Sequence, residues 1–460
     1  MIDQGDQVQL PRILLDLRQI TPSDQPLYLV GGAVRDYLLG KKCQDYDIVC
    51  AVEARTTAKR FADHLKGAFF SLDEERKTYR VLINQASGQK TVVDFATRQG
   101  ATIIDDLAER DFSINAMAVD LNDAHQIIDP NKGGRDLQEN WLHPVNDGSL
   151  TADPLRVIRA VRYAVNLDLK IDSRTSSLIV DAASLLESVS IERKRDELFK
   201  ILDGKKVQTA LRLLRHYEVF DHFPLPVKPD FQQVLSQIRE LEEILDWLTG
   251  GIGLEKQASF HQVSLILELG GFKDKLRALY LAENSSNRTR KALLNLSLLL
   301  DPVSGERESN LTALLALSAD ESSSLEIFNK ALEDCERLMS APENPKPAAI
   351  YDFYRNTAAT GVDLVIASLA CYRTRIGAEF IQAEWLQRLG NAKTLLRAWF
   401  DQPEITHPSP LLNGDEIMEQ FKLKPGRLIG QLLDGLIHEQ LAGNLTTKKE
   451  ALDWIASRLV

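Results

Sequence analysis

The sequence has little of what marks exported, disulfide-bonded or membrane-embedded proteins. Among 460 residues there are four cysteines, with no Cys-x-x-Cys pair among Cys43, Cys50, Cys335 and Cys371. Neither a disulfide framework nor a zinc site is therefore indicated. No apolar run approaches the roughly 18 residues of a membrane span, and the acidic N-terminus lacks the apolar core of a signal peptide. We expect no membrane association and a cytoplasmic location.

Positive charge is also scarce. Lysine and arginine number 55 against 66 aspartates and glutamates, a formal net charge of −11. This balance argues against a nucleic-acid partner, which usually requires a basic surface. Basic residues are nevertheless concentrated between Glu192 and Arg215, and Arg156, Arg159 and Arg162 recur every three residues. These rows are either solvated helix faces or a local track for phosphates.

The length predicts two to four domains. Short β-branched runs alternate with helical segments up to about residue 141, and helical periodicity dominates from about residue 150. We predict an α+β fold with an N-terminal mixed α/β head followed by helices only. The predicted domains are a catalytic head (1–141), a helical neck (142–215), a helical body (216–402) and a helical tail (403–460). The sequence indicates no oligomeric state.

Residues 27–49 carry the most information about function. An apolar run, Leu27–Val30, leads into Gly31 and Gly32, and a short amphipathic helix follows. The chain then returns as a strand in which Asp45 and Asp47 share one face, because they are two residues apart. Paired carboxylates suit Mg²⁺, and a glycine turn at a helix start can hold phosphate. The pattern predicts phosphoryl or nucleotidyl transfer, against the alternative of a surface turn with two solvated aspartates.

The segment from Gly31-Gly32-x-Val34-Arg35-Asp36 to Asp45-x-Asp47 resembles the head of class II tRNA nucleotidyltransferases and bacterial poly(A) polymerases. The resemblance implies Asp45 and Asp47 as catalytic metal ligands for Mg²⁺, with Gly31, Gly32 and Arg35 binding the nucleotide. In polymerase-like folds a third carboxylate from a neighbouring strand can also act. Asp94, in the predicted strand Thr91–Phe95, is the candidate; the alternative is an ordinary edge-strand polar residue.

Further segments extend the resemblance. Arg110-Asp111 followed by Asn115-Ala116 matches the second family motif, which implies that Asp111 contacts the ribose 2′-hydroxyl, that Arg110 faces the triphosphate and that Asn115 belongs to the nucleotide site. Glu109 stands where the family often has an arginine. Asp111 could instead cap a helix. The segment Asp129–Asp136 matches a family motif associated with flexibility between head and neck.

A third motif concerns choice of the base. Asp153-Pro154-Leu155-Arg156 predicts a helix start and resembles the family segment whose side chains pair with the incoming base. A carboxylate can accept from cytosine N4–H and a guanidinium can donate to O2 and N3. Arg159 is assigned to the same nucleotide site. Ala152 replaces the glutamate that commonly precedes the aspartate.

The candidate RNA contacts lie on the neck helices. Glu192–Leu198 resembles the next family motif, and the implied contacts are Arg162, Arg193, Lys194 and Arg195. The alternative is a salt-bridged helix face. Leu423–Gly430 is similar to the family's C-terminal segment, where a Pro-Gly turn could hold a phosphate or only cap a helix.

The leading hypothesis is an enzyme that transfers nucleotides from CTP or ATP to the 3′ end of tRNA and releases pyrophosphate. Members that build the whole C-C-A end carry a longer mobile loop between the third acidic strand and the Arg-Asp motif. Here only Gln99–Arg110 separate Arg98 from Asp111, which favours addition of two cytidines alone. The alternatives are a poly(A) polymerase or A-adding enzyme, and, from another class, a catalytically silent RNA-binding protein. No histidine is followed by aspartate, so no phosphohydrolase His-Asp pair is present.

Overall fold

Strands and short helices alternate in the N-terminal part of the chain. The computed structural model describes residues 10–43, 45–84, 90–123, 127–223, 230–250, 258–284, 286, 288–300, 315–377, 379 and 381–459. The elements up to residue 139 are α1 (Arg12–Ile20), β1 (Leu27–Val30), α2 (Gly32–Leu38), β2 (Asp45–Cys50), α3 (Ala54–Leu65), β3 (Ala68–Asp73), β4 (Thr78–Asn84), β5 (Lys90–Thr97), α4 (Ile103–Ala108), β6 (Ala118–Asp120), β7 (Ile127–Ile128) and α5 (Gly133–Glu139).

The strands form one seven-stranded sheet in the order β3-β4-β5-β2-β1-β6-β7. β2 is central: it runs antiparallel to β1 and parallel to β5. Its burial alternates, with Tyr46 and Ile48 buried and Asp45 and Asp47 exposed, as the two-residue spacing predicts. Under this end of the sheet, α4 buries Ile103 and Leu107 against β1 and β2. The sheet therefore fixes where the two carboxylates emerge.

Helices make up the rest of the described chain, apart from isolated bridges and 3₁₀ turns. Leu, Ile and Val at helical spacing produce them, as expected from their periodicity. They are α6 (Ser149–Ala152), α7 (Arg156–Asn166), α8 (Ser173–Ala183), α9 (Ile191–Leu202), α10 (Val207–His216), α11 (Phe231–Thr249), α12 (Phe260–Leu269), α13 (Lys273–Leu281), α14 (Arg290–Leu299), α15 (Ala319–Ser340), α16 (Pro347–Thr357), α17 (Thr360–Ile376), α18 (Gln382–Asp401), α19 (Pro403–Thr406), α20 (Gly414–Phe421), α21 (Arg427–Leu441) and α22 (Lys448–Arg458).

The chain divides into two compact units, residues 1–197 with 213–223, and residues 198–212 with 224–460. Within the second unit, the last three helices share their own core, centred on the fully buried Ile417, Leu436 and Ile455. The four predicted domains are a finer division, and their boundaries stay a prediction.

The predicted fold class, a mixed α/β head followed by helices, is confirmed. The predicted strand Leu27–Val30 is reproduced, and Thr91–Phe95 lies inside β5. Nowhere in the described ranges does a helix combine the length and apolarity that crossing a bilayer would require.

Candidate active site

The turn after β1 brings the glycine pair against charged side chains. Gly31 has φ +72°, a conformation that favours glycine. A Cβ atom on Gly31 would lie 3.2 Å from both Arg110 Nη1 and Asp47 Oδ2. The turn therefore needs glycine for its backbone angle and for the space between a guanidinium and a carboxylate.

Three carboxylates occupy one face of the central strands. Asp47 is level with Val30 on β1 and with Asp94 on β5, so Asp45, Asp47 and Asp94 point the same way. Arg80, on β4, donates hydrogen bonds to both oxygens of Asp94, at 2.8 Å each. Asp94 is therefore already neutralised by a neighbour, whereas no comparable bidentate partner engages Asp45 or Asp47 among the described contacts.

Asp47 carries the clearest electrostatic signature. Although solvent reaches the side chain, partial desolvation in the cleft and repulsion from Asp94 and Asp45 raise its pKa to about 6, against the opposing effect of Arg110. A bound cation would remove this penalty. Within the described ranges, no three acidic, histidine or cysteine side chains form a ready metal cage. Two carboxylates fit Mg²⁺ instead, because that ion usually takes one or two carboxylates and completes its shell with water and substrate phosphates.

The glycine turn and Asp47 open into a cleft of about 490 Å³. Seven arginines line it against four acidic residues, which favours a polyanion such as a triphosphate. Its wall contains twelve of the predicted site residues: Gly31, Gly32, Arg35, Asp47, Arg110, Asp111, Asn115, Asp153, Arg156, Arg159, Arg162 and Arg193. Asp45, Asp94, Lys194 and Arg195 do not line it.

A chain of hydrogen bonds along the cleft wall connects Arg35 on α2 to Arg159 on α7. Arg35 donates to Asn115 Oδ1 (2.7 Å), and Asn115 donates to Asp111 Oδ1 (3.2 Å). Arg159 donates to Asp111 Oδ2 through Nε (3.0 Å) and Nη2 (2.6 Å). Burial would raise the pKa of Asp111, but Arg159 and the hydrogen bonds outweigh it and lower the pKa. Asp111 is thus a carboxylate that already accepts several hydrogen bonds. A ribose hydroxyl would have to donate to it in addition to these donors or displace one of them.

Tyr163, which the sequence reasoning missed, lies among the cleft arginines. The guanidinium carbons of Arg162, Arg159 and Arg35 are 4.4, 5.5 and 5.7 Å from its ring centre. Its hydroxyl accepts from Arg159 Nη2 at 3.0 Å. The spacing of four residues after Arg159 on α7 was the signal for this contact. Arg76, in the turn before β4, and Glu109 also lie in the wall without having been predicted as site residues, and no sequence pattern indicated Arg76.

The base-reading candidates differ in their partners. Helix α7 begins at Arg156, two residues later than the Asp-Pro pattern predicted, since residues 154 and 155 form a turn. Arg156 donates to the carbonyl oxygens of Glu109 (2.7 Å), Arg110 (3.1 Å) and Ser149 (3.1 Å). It therefore joins the neck to the second family motif.

Asp153 pairs with Arg193 on α9 rather than with Arg156. Its Oδ2 accepts from Arg193 Nη2 at 2.8 Å, while its Oδ1 accepts the backbone N–H of Leu155 at 3.3 Å. This carboxylate keeps 29% of its side-chain surface exposed on the cleft wall. Asp153 and Arg193 together offer an acceptor and a donor side by side.

Not all of the basic side chains on helix α9 are accessible to a ligand. Lys194 is only 5% exposed, and its ammonium donates to the carbonyl oxygens of Leu186 and His222, both at 3.2 Å. Burial lowers the pKa of Lys194. The expected contact between Lys194 and RNA is therefore dropped, because its donors already serve the fold. Arg195 is mostly covered and pairs with Asp196, whereas Arg193 is exposed.

The segment Asp129–Asp136, which matches the motif associated with flexibility, is held by hydrogen bonds to α5 and to neighbouring side chains. Asp129 accepts the N–H groups of Gly133 (2.7 Å) and Gly134 (2.9 Å) at the start of α5. Asp136 accepts from the Ser113 hydroxyl and contacts His143 Nδ1 at 2.9 Å. These bonds brace the 3₁₀ turn Ser113–Asn115 that holds Asn115.

Comparisons with known proteins identify the family of this chain. Residues 27–143 match the family model described as the poly A polymerase head domain, and residues 168–227 match a probable RNA- and SrmB-binding site of polymerase A. A CC-adding tRNA nucleotidyltransferase of Geobacter sulfurreducens is 30% identical over 94% of this chain and 91% of its own. Its counterpart from Synechocystis is 28% identical over 95% and 96%.

Weaker matches carry the names CCA-adding enzyme and A-adding tRNA nucleotidyltransferase. Among solved structures, a CCA-adding enzyme with ATP superposes with a TM-score of 0.68 at 22% identity, covering 99% of each chain. That likeness concerns the fold. The near-complete coverage of the Geobacter relative decides the family, and the chain belongs to the tRNA nucleotidyltransferases that include the CC-adding and CCA-adding enzymes.

Proposed function

We propose that this enzyme adds two cytidines to the 3′ end of tRNA, using CTP, and leaves the terminal adenosine to another enzyme. The observation that carries the proposal is the segment between β5 and α4. Helix α4 begins at Ile103, so the connecting loop is only Arg98–Thr102, shorter than the sequence indicated. Such a loop cannot extend over the cleft.

The loop is also pinned along its length. The N–H of Arg98 donates to Cys50 O, and that of Gln99 donates to Asp106 Oδ1, both at 2.9 Å. Asp105 Oδ2 accepts the N–H groups of Ala101 (3.0 Å) and Thr102 (2.7 Å). Between them, Gly100 has φ +75° and leaves no room for a Cβ against Asp105. A segment fixed at successive residues cannot reshape a base-binding site from C to A.

The residues that line the cleft, and the aspartates on the strands beside it, have the following roles in this proposal. Asp45 and Asp47 would hold Mg²⁺, which when bound would supply charge neutralisation at the α-phosphate and activation of the tRNA terminal hydroxyl. The arginine-rich wall, with Arg35, Arg110 and Arg159, binds the triphosphate and orients pyrophosphate as the leaving group. Arg80 pairs with Asp94 and offsets part of the negative charge that Asp94 adds beside Asp47.

Base selection falls to the neck side of the cleft. Asp153 accepts from the cytosine amino group, and Arg156 or Arg193 donates to the ring acceptors. The same wall continues into a second cavity of about 1100 Å³, lined by Gln99, Gly100, Asp106 and residues 188–190 as well as Asp153. This space suits the acceptor end of the tRNA. Arg193 and Arg195 remain the proposed RNA contacts on α9, with the C-terminal segment Leu423–Gly430 as a further one.

A second candidate function is addition of the single adenosine. The A-adding relative supports it, since it matches 92% of this chain at 26% identity. The short pinned loop does not exclude this function, because an enzyme that adds only A does not need to change its specificity from C to A.

The test is to incubate the purified protein and Mg²⁺ with tRNAs ending before the first C, after one C and after two, giving each NTP singly and then CTP with ATP. We expect addition of two C residues and no further extension. Completion of the terminal A as readily as the cytidines would contradict the loop argument. Addition of A only to the tRNA that ends in two C residues would identify the A-adding alternative. Long A tails would identify a poly(A) polymerase. No incorporation by wild type on any RNA would favour the silent RNA-binding protein.

A further inference from the structure

Asp106 is a buried carboxylate with no assigned role, and it lies between the loop and the cleft. It occupies the middle of α4, and only 6% of its surface is exposed. Carboxylates are rarely buried unless strongly paired, so its partners indicate what it does.

Each oxygen of Asp106 serves a different part of the site. Oδ1 accepts the backbone N–H of Gln99 at 2.9 Å, which ties it to the pinned loop. Oδ2 accepts from Arg110 Nη2 at 3.1 Å and Nε at 3.3 Å. Because a carboxylate is planar, rotation that improves one set of bonds would break the other. The loop thus fixes the carboxylate, and the carboxylate fixes the guanidinium.

This arrangement leaves one end of the Arg110 guanidinium facing the reaction site. Its Nη1 atom lies beside the Gly31 turn, at 3.2 Å from where a glycine Cβ would be, and Asp47 Oδ2 lies at the same distance from that point. Arg110 follows the C-terminal end of α4, where its own helix cannot hold it, and an unpaired long side chain would sample several rotamers.

We propose that Asp106 is a positioning residue that holds Arg110 in the orientation that binds the β- and γ-phosphates of the incoming nucleotide. This inference rests on the proposed function, since it takes a nucleoside triphosphate as the ligand. It also gives the short loop a second role: through Asp106, the loop orients an arginine that binds phosphate.

The experiment compares Asp106→Asn with wild type in titrations with CTP and with CMP, in the presence of Mg²⁺, and in steady-state addition to tRNA. Asparagine preserves the shape and the acceptor for Gln99 but turns an amide donor toward Arg110. We expect the Kd and KM for CTP to rise about tenfold, as for loss of a hydrogen bond to a charged group. The affinity for CMP and kcat should change little, since CMP lacks the outer phosphates.

Two further variants separate positioning from general stability. Asp172→Ala removes the cap of α8, where the carboxylate accepts the N–H of Thr175 at 2.7 Å, and Asp172 lines neither cavity, so this variant should lower Tm and leave the KM for CTP unchanged. Arg110→Ala should weaken CTP binding by itself, and adding Asp106→Asn to it should cause no further loss, because one residue acts through the other.

Several results would overturn the inference: an unchanged CTP affinity in Asp106→Asn, equal losses for CTP and CMP, additive effects in the double variant, or an equal rise in KM for Asp172→Ala. If wild type binds CTP but adds no nucleotide to tRNA, the proposed function fails, while the titrations of Asp106→Asn still decide the role of Asp106.

Discussion

The carboxylates of Asp45 and Asp47 lie on one exposed face of a central strand, and their charges repel. We expect Asp45→Asn or Asp47→Asn to abolish nucleotide addition under Mg²⁺, because each removes a ligand that the ion needs. Tm should hold or rise slightly, since desolvation and like charges disfavour the ionised Asp47 in the fold.

Radiolabelled CTP incorporation and thermal unfolding on the same preparations would measure both effects. Asp63→Asn is a matched control, because Asp63 is exposed on α3 in the same unit and outside the cleft. Full turnover by Asp45→Asn or Asp47→Asn would remove the metal assignment.

Asp153 and Arg156 were predicted as one base-reading pair, yet their contacts predict different costs on mutation. Arg156→Ala leaves the carbonyl oxygens of Glu109, Arg110 and Ser149 without this donor, which should lower stability by about 1–3 kcal/mol and also alter nucleotide choice. Asp153→Ala breaks a partly exposed ion pair with Arg193, for which about 0–1 kcal/mol is typical, and a 3.3 Å hydrogen bond from the N–H of Leu155.

The measurement is the relative use of CTP, UTP, ATP and GTP beside the Tm of each variant. We expect Asp153→Ala to relax nucleotide selection with little change in Tm. Unchanged selection combined with a large loss of Tm would mean that Asp153 only caps the start of the helix through Leu155.

At the scale of elements, the sequence predicted what depends on local pattern. Alternating apolar residues fixed the strands, and the two-residue spacing placed Asp45 and Asp47 on one face of β2. Side-chain partners distant in the chain were not accessible in this way. Nothing in the α9 pattern distinguishes Lys194, whose ammonium is buried, from Arg193, which is exposed and reaches Asp153. Such pairings depend on how helices pack.

The supposed hinge illustrates the same limit. Adjacent glycines near Asp129 suggest a flexible turn, because glycine is usually read as conformational freedom. In the structure Gly133 is required for close approach, since a Cβ there would collide with the backbone carbonyl of Ser113. Family motifs predicted the residues of the cleft, but only packing shows which of them are held and by what.

Helices α16 and α21 are joined by a contact that responds to pH. His438 on α21 lies 2.9 Å from Asp352 on α16, and Arg355 pairs with Asp434 beside it. The hydrogen bond to Asp352, with that to the Asp434 carbonyl, raises the pKa of His438 above its usual value. The charged imidazole therefore contributes stability that is complete below the unfolded pKa and lost as pH rises through the folded one.

Asp352→Asn should accordingly lower Tm more at pH 6 than at pH 8.5, because the imidazolium that Asp352 stabilises is lost as pH rises through the folded pKa. The exposure of the pair and screening by salt keep the effect small. Glu416→Gln, which breaks the ion pair with Lys448, is the control and should give the same difference at both pH values, because that ion pair lowers the pKa of Glu416. A pH-independent loss in Asp352→Asn would show that the contact does not depend on the imidazolium.

At the scale of the whole molecule, an acidic protein of net charge −11 has to bind polyanions. The cleft provides a local excess of positive charge, because its wall contains seven arginines and four acidic residues. Several of these arginines are paired with buried or wall carboxylates, such as Arg162 with Glu197 at 2.7 Å and Arg159 with Asp111. Pairing keeps the side chains ordered before the substrate arrives, and the excess of positive charge stays directed into the cleft.

We therefore expect tRNA affinity to fall steeply with salt despite the unfavourable net charge, with log K linear in log salt concentration, because bound phosphates release counterions. Arg193→Gln should weaken binding and reduce the slope by about one, as for loss of one phosphate contact. Arg12→Gln, an exposed change on α1 outside the cleft wall, should leave the slope unaltered. Filter binding of tRNA between about 50 and 300 mM KCl spans the range in which such slopes are measured. A flat dependence in wild type would show that tRNA is held chiefly by its bases, and the arginine-rich wall would then serve the nucleotide alone.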